Sequence, residues 1–322
     1  MRDEPKDLTL TQVADALRVH WRLDLGDLTY APVGFGSYHW QATEHDGKRW
    51  FVTADDLPAM PVFDGSDAEA NFDSFNAALL AVRAVRDAGL EFVVAPVPNL
   101  GGDVLLRLTS RWVLALYPHI EGEMRADERL PESAALIGRL HRTKPPGVIR
   151  PWDPAIPHRG VLDGALSQLD VAWDYGPFSE RCRASLSKSR EGLEATLARY
   201  EALARTFTSG QDGWVVTHGD SHGSNFISGA DGSLHLIDWD GACLAPPERD
   251  LQTQLGYDEA SLAAYEASSG WKPRPDAIEL FSLLWMLADV CSFVRRFREP
   301  HEGSEDDTKS WHGLELYLTS LV

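Results

Sequence analysis

Trp214-Val215-Val216-Thr217, running into His218-Gly219-Asp220-Ser221-His222-Gly223-Ser224-Asn225, is the stretch on which the fold turns. Its first four residues are apolar and mostly β-branched, the composition of a short buried strand, so the polar octet after them is delivered into a loop at a strand end. Phe226-Ile227-Ser228 and Leu234-His235-Leu236-Ile237 flank Gly229-Ala230-Asp231-Gly232, which reads as a hairpin. Folding about that turn returns Asp238 to the neighbourhood of Gly223 and Asn225. Asp220, Asn225 and Asp238 are therefore expected to converge.

Those residue types suit phosphoryl transfer. The reaction needs one group to orient and deprotonate an attacking hydroxyl, the role expected of Asp220, and hard oxygen ligands to hold Mg²⁺ against nucleotide phosphates, the role expected of Asn225 and Asp238. A turn rich in Asp, Asn, Ser and Gly that only caps local backbone is the bland alternative. Five coincident features argue against it: the strand, His-Gly-Asp, an Asn five positions on, the hairpin, and Ile237-Asp238-Trp239-Asp240.

Upstream of this segment the chain reads as strand-rich. A helix is expected near Thr11–Trp21, then strands near 28–34, 38–43 and 49–53 that meet at a glycine turn, and a loop over Pro58–Asp64. Asp67–Ala88 lacks Pro and Gly and stops at Gly89, as a helix does. Strands near 104–108 and 112–117 follow. Beyond Pro118 the texture is mostly helical, near 132–141, 179–205, 259–267, 276–298 and 306–321. The expected fold is α+β and two-lobed: an antiparallel sheet with a helix over 1–117, a hinge at 118–122 and a larger, mainly helical lobe over 123–322.

Composition narrows the setting. With 322 residues, 43% hydrophobic and 25% charged, the chain is an ordinary globular one with room for a large core. Cys182, Cys243 and Cys291 are too few and scattered for a disulfide framework or a cysteine metal site, which fits a reducing cytoplasm. The polar start Met1–Asp7 lacks the core of a signal peptide. The apolar run Leu280–Val294 is broken by Asp289 and short of about 20 residues, so it is expected to be buried rather than to span a membrane. A formal charge of −19 disfavours nucleic acid as a partner and attracts cationic ligands to any carboxylate-lined cleft.

The octet with Ile237-Asp238-Trp239-Asp240 resembles the signature of the aminoglycoside phosphotransferase and choline kinase family, whose members share a two-lobed protein-kinase-like fold. Leu140-His141, Leu116-Tyr117-Pro118-His119-Ile120-Glu121-Gly122 and Leu244-Ala245-Pro246-Pro247-Glu248-Arg249-Asp250-Leu251 extend the likeness, the last being similar to spectinomycin phosphotransferases. The resemblance implies that Asp220 is the base, that Asn225 and Asp238 ligate Mg²⁺, and that His218 and Asp250 support the loop. It also implies that ATP or GTP is the phosphate donor. Gly34, Gly36 and Ser37 in Val33-Gly34-Phe35-Gly36-Ser37-Tyr38 would cover its phosphates, and the backbone from Tyr117 to His119 would meet its base. One departure stands out. The family carries a strand Lys that contacts the phosphates and pairs with a helix Glu, whereas this chain has Thr53 at that position, which leaves Glu69 without its expected partner.

The acceptor is expected to be a small cationic or polyhydroxylated molecule of aminoglycoside or aminocyclitol type. Trp285 and Asp289, on the side of their helix opposite Leu280, Leu283, Leu284, Leu287, Cys291 and Val294, are candidates to receive it, and Glu302, Glu305, Asp306 and Asp307 to line the same cleft. Two other readings stand beside the kinase: a silent nucleotide-binding pseudokinase, prompted by Thr53, and a metal hydrolase using His218, Asp220, His222 and Asp238.

Overall fold

Thr9 opens the first helix, α1 (Leu10–Trp21), with a capping box to Gln12. Its apolar residues Val13, Ala14, Leu17 and Trp21 recur at helical spacing and are buried. They pack on one face of an antiparallel sheet of β1 (Leu25–Ala31), β2 (Tyr38–Glu44), β3 (Arg49–Asp56), β4 (Leu106–Arg107) and β5 (Trp112–Pro118), ordered β1-β2-β3-β5-β4. The computed structural model describes residues 4–34, 36–60, 67–124, 130–251 and 259–321.

The two-residue period of a strand decides what each sheet face carries. Trp50, Val52 and Ala54 of β3 enter the core with α1 and Trp40, while Phe51, Thr53 and Asp55 point the other way. On that second face α2 (Ala68–Asp87), capped by Asp67, buries Phe75 and Leu79 against Val113 and Ala115 of β5. Each such fully buried side chain contributes roughly 1.5–3 kcal/mol.

Several expectations shift at this end. The first strand starts and ends three residues earlier than read, at 25–31, so the glycine turn after it is longer and Phe35 within it lies outside the described residues. Of the strand expected at 104–108 only Leu106–Arg107 pairs. Val104 and Leu105 are spent in the core under α2 instead. The loop expected at Pro58–Asp64 begins with a 3-10 turn over Leu57–Ala59, and its residues 61–64 lie outside the described residues.

The chain forms two compact units. The first joins the sheet with residues up to Trp152 and with Gly213–Pro273. In it α3 (Leu130–His141) packs along α6 (Glu259–Ser269), closely enough that a Cβ on Gly138 would collide with Ser268. Short strands complete the unit: β6 (Gly122–Glu123) pairs β8 (Phe226–Gly229), which pairs β9 (Leu234–Leu236), and β7 (Val215–Thr217) pairs β10 (Cys243–Ala245). Ile137, Leu140, Val216, Phe226, Leu236, Trp239 and Tyr265 form their common core.

The second unit holds α4 (Arg159–Leu166), α5 (Ser179–Thr208), α7 (Pro275–Phe297) and α8 (Glu305–Ser320). At 23 residues α7 matches the helix expected at 276–298 to within one residue at each end and by length and composition could cross a membrane; here it packs against α4, α5 and α8. Facing three helices widens its buried stripe to Ala277, Leu280, Phe281, Leu287, Val290, Cys291, Val294 and Phe297, with Leu283 and Leu284 only half-buried. Asp307, expected with the acidic run of a cleft or loop, is buried: it accepts N–H groups from Gly303 and Ser304 and pairs with Arg296 at 2.6 Å, closing the start of α8.

Candidate active site

The loop after β7 is held by one carboxylate. Asp250 accepts the backbone N–H groups of His218 at 2.8 Å and Gly219 at 2.6 Å, and its carbonyl accepts the Ser221 hydroxyl at 2.7 Å. His141, itself 2.8 Å from the Tyr265 hydroxyl, stands 3.1 Å from the same carboxylate. Burial pushes the Asp250 carboxyl up, but the hydrogen bond and charge of His141, with His218 and Arg249, outweigh it and hold the group below the usual range. Gly219 is favoured by its φ of +96°, and a Cβ there would displace the Arg249 guanidinium.

His218 ties this loop to the returning hairpin. Its Nε2 lies 2.7 Å from the Ile237 carbonyl, and its Nδ1 accepts the Asp220 N–H at 3.1 Å, a pairing that places the ring proton on Nε2. Burial lowers its pKa, so the ring is neutral. With both nitrogens engaged His218 has none left for a metal, which removes a ligand from the hydrolase reading. Among the described residues no group of three His, Cys, Asp or Glu side chains is placed to hold a metal ion.

The hairpin has the register that the turn Gly229–Gly232 implies. Phe226 pairs Leu236, and the Ile237 N–H donates to the Asn225 carbonyl at 2.9 Å, so Asp238 follows directly beside Asn225. The Asn225 amide nitrogen donates to the Asp220 carbonyl at 2.7 Å, leaving its oxygen as the end for a ligand. Asp238 adopts φ +68°, a left-handed conformation that costs a non-glycine residue about 1 kcal/mol and that Asp tolerates better than most.

Asp238 and Asp240 are solvent-accessible, yet protein surrounds them closely enough to disfavour charge. Desolvation first, then Asp220 and Asp55, raise Asp238 to about 6; desolvation and then Asp238 raise Asp240 to about 7. The Asp220 Oδ1 is buried without a hydrogen bond, with His222 Nε2 3.4 Å away. His222 Nδ1 meanwhile accepts the Ser224 N–H and caps the turn Gly223–Asn225. Crowded carboxyls, an orphaned carboxylate oxygen and an amide oxygen make a donor set that fits Mg²⁺, which takes one or two protein oxygens and completes its shell with phosphates and water.

Among the described residues of the sheet, Lys48, Arg49 and Arg107 are all engaged away from Thr53. Gly34 and Gly36 have φ of +71° and +99°, and Ser37 donates to Asp55 at 2.5 Å. Thr53 is half-buried opposite His39 and Ala115. Glu69 is not unpaired as expected: Arg107 of β4 grips it at 2.8 and 3.0 Å. Lys48 lies over the Trp50 ring, and Arg49 pairs with Glu121. Tyr117, opposite Phe51, has its phenol raised by burial and then by Asp55, Asp238 and Asp240. The His119 N–H reaches the Arg49 carbonyl at 3.4 Å, and its Nδ1 is buried without a partner, with its pKa lowered by burial and Arg49.

Asp55 is the residue that sequence reading missed. It is 5% exposed, and burial raises its carboxyl to about 7 against the Ser37 hydrogen bond, with Asp240 adding to the rise. Its signal was the strand period, which puts position 55 on the same face as Thr53. Trp285 and Asp289 belong to the second unit, one turn apart on α7, where Tyr317 of α8 donates to Asp289 at 2.9 Å.

Comparison with known proteins converges on the same reading. The chain is 29% identical over 337 residues to Protein StrN of Streptomyces griseus, covering 95% of this chain and 91% of that one. Its fold matches spectinomycin phosphotransferase APH(9)-Ia, solved with ADP and spectinomycin, at a TM-score of 0.75 and 15% identity over 98% and 99% of the two chains. It also matches the choline kinase LicA from Streptococcus pneumoniae at 0.58 and 13%, over 96% and 98%. Residues 28–281 match the model of the phosphotransferase enzyme family APH, and with most of the chain inside that match the protein belongs to this family of small-molecule kinases.

Proposed function

We propose that the chain transfers the γ-phosphate of ATP or GTP to a hydroxyl of a small cationic or polyhydroxylated acceptor of aminoglycoside or aminocyclitol type. The observation that carries this is the pairing of Ile237 with Asn225, which sets Asp238 beside Asn225 while Asn225 also bonds the Asp220 backbone. Asp220 takes the acceptor hydroxyl's proton and aims its oxygen at the phosphorus. Asn225 and Asp238 hold Mg²⁺, whose chemistry is to neutralise the charge on the phosphates. Residues 1–117 serve the nucleotide, the 118–122 segment is the hinge, and 123–322 carry the catalytic and acceptor-binding residues.

The turn with Gly34, Gly36 and Ser37 covers the phosphates, Thr53 lies beneath them, and Tyr117 to His119 meet the base. Trp285 and Asp289 recognise the acceptor through the attraction of a cation for an aromatic face and a carboxylate. A silent pseudokinase draws no support, because the family match and the solved neighbours are phosphotransferases. Screening phosphate transfer from ATP and from GTP to aminocyclitols, aminoglycosides, amino alcohols and neutral sugars tests the proposal. Transfer to the aminocyclitols or aminoglycosides is the expected result; transfer only to neutral sugars would remove the aminoglycoside or aminocyclitol assignment, and transfer to none of the panel would remove the acceptor class altogether.

A further inference from the structure

The inner face of β3 carries a buried carboxyl near the position where a strand cation was expected, and that carboxyl is already engaged. Asp55 Oδ1 accepts the Ser37 hydroxyl at 2.5 Å, and Asp55 is 5% exposed. Ser37 ends the turn that leaves β1 and enters β2, the turn bent by the positive φ of Gly34 and Gly36. Tyr38 at the start of β2 pairs Ala54 of the neighbouring β3, so this contact lies one position beyond that pair and fastens the β2 end of the glycine turn to the third strand.

His39 of β2, opposite Thr53 and stacked on Phe51, lies against Gly34, while the described Lys and Arg side chains of the sheet and its hairpins are engaged elsewhere. Lys48 lies over Trp50, Arg49 pairs with Glu121, Arg107 with Glu69, and Arg111 with Asp56 and Asp7. A hydrogen bond to a buried carboxyl is stronger and more directional than one between neutral groups in water, so it holds a short turn at a defined height. Thr53, two residues before Asp55 on the same face, is too short to span from the strand to a phosphate as a Lys would.

We propose that Asp55 is a positioning residue for phosphoryl transfer, which through Ser37 sets the glycine turn at the height where its backbone N–H groups meet the nucleotide phosphates. The role rests on the function proposed above, and its effect is on nucleotide affinity rather than on the chemical step.

The test compares the full-length chain with Ser37→Ala, Asp55→Ala, the double variant and Asp55→Asn, measuring nucleotide KM and kcat in phosphate transfer and, separately, Kd for Mg²⁺·ADP by calorimetry. Ser37→Ala and Asp55→Ala should each raise nucleotide KM and ADP Kd about tenfold, the cost of one buried hydrogen bond. The double variant should be no worse than either single one, because both remove the same contact. Saturating kcat and acceptor KM should stay within about twofold, and Asp55→Asn, which keeps an acceptor oxygen, should recover to within about threefold.

Ser37 is half-buried in the turn itself, so a loss in Ser37→Ala alone fits a direct phosphate contact as well, and the comparison with Asp55 decides; if Asp55→Ala fails to fold, Asp55→Leu replaces it in the single and double variants. Unchanged KM and Kd in Ser37→Ala, or additive losses in the double variant, overturn the latch while leaving the kinase reading in place. Nucleotide binding with the expected coupling but no transfer to any acceptor overturns the kinase reading alone. A wild-type chain that binds no nucleotide overturns both.

Discussion

The 215–250 hairpin segment and the β1–β5 sheet lie in the same compact unit but differ in how their polar groups are held. In the segment 215–250 the groups that hold the loop have partners fixed by short sequence spacing or by Asp250, while the Asp220 Oδ1 is left bare: His218 bonds Ile237 and Asp220, Asn225 bonds Asp220, and Asp250 bonds two N–H groups and a histidine. On the inner face of β1–β3 the polar groups are dispersed over three strands, and the charge that the resemblance implies is absent. The first region tolerates little change because one anchor serves many bonds. The second has a buried carboxyl on this face, Asp55, bonded to Ser37.

The sharpest way to break this contrast is at the base. Asp220→Ala should lower phosphate transfer by about a thousandfold or more, in line with the loss of general-base catalysis, while ADP affinity moves less than threefold. Comparable losses in binding would mean that Asp220 shapes the fold of the site rather than the reaction. Next comes the anchor. Asp250→Ala leaves two N–H groups and the His141–Tyr265 pair without their buried acceptor and should cost roughly 3–5 kcal/mol in chemical denaturation, with activity lost in parallel. A variant of wild-type stability would show that Arg249 and the β7–β10 pairing hold the loop unaided.

On the sheet side the expected effects are smaller and depend on pH. The Asp55 carboxyl rises from 3.8 to about 7 on folding, so between those values the folded chain keeps a proton that the unfolded chain releases. Stability contributed at Asp55 is therefore lost as pH rises from about 4 to about 7 and is level above that. Asp55→Asn removes the penalty and should stabilise the chain at pH 8 by roughly 2–4 kcal/mol, and hardly at all at pH 4. An equal gain at both pH values would mean that the carboxyl is not held protonated. Smallest of all, Thr53→Lys should tighten nucleotide binding by up to about threefold or leave it unchanged, the worth of an added solvent-accessible charge pair. A large loss would assign Thr53 a role of its own.

The same contrast explains what could be read in advance. The hairpin was legible because its turn residues, strand lengths and spacing are all local, so the meeting of Asp238 with Asn225 followed from counting. Helix boundaries came within a few residues where caps such as Thr9 and Asp67 announce them. Partners contributed by distant elements were not legible: Arg107 for Glu69, Ser37 for Asp55, and Arg296 for Asp307 lie 38, 18 and 11 residues away. The strand at 104–108 misled because an apolar run serves a core as well as a sheet.

The central claim is that Asn225 and Asp238 together hold a divalent cation against the nucleotide. Titrating Mn²⁺ into the chain with saturating ADP, and reading bound metal by electron paramagnetic resonance, tests it without requiring an acceptor. The account predicts one bound Mn²⁺ per chain in the wild type, and affinity lowered at least about tenfold in Asp238→Asn and in Asn225→Ala, with ADP binding in the absence of metal unchanged. Wild-type Mn²⁺ affinity in both variants would contradict it.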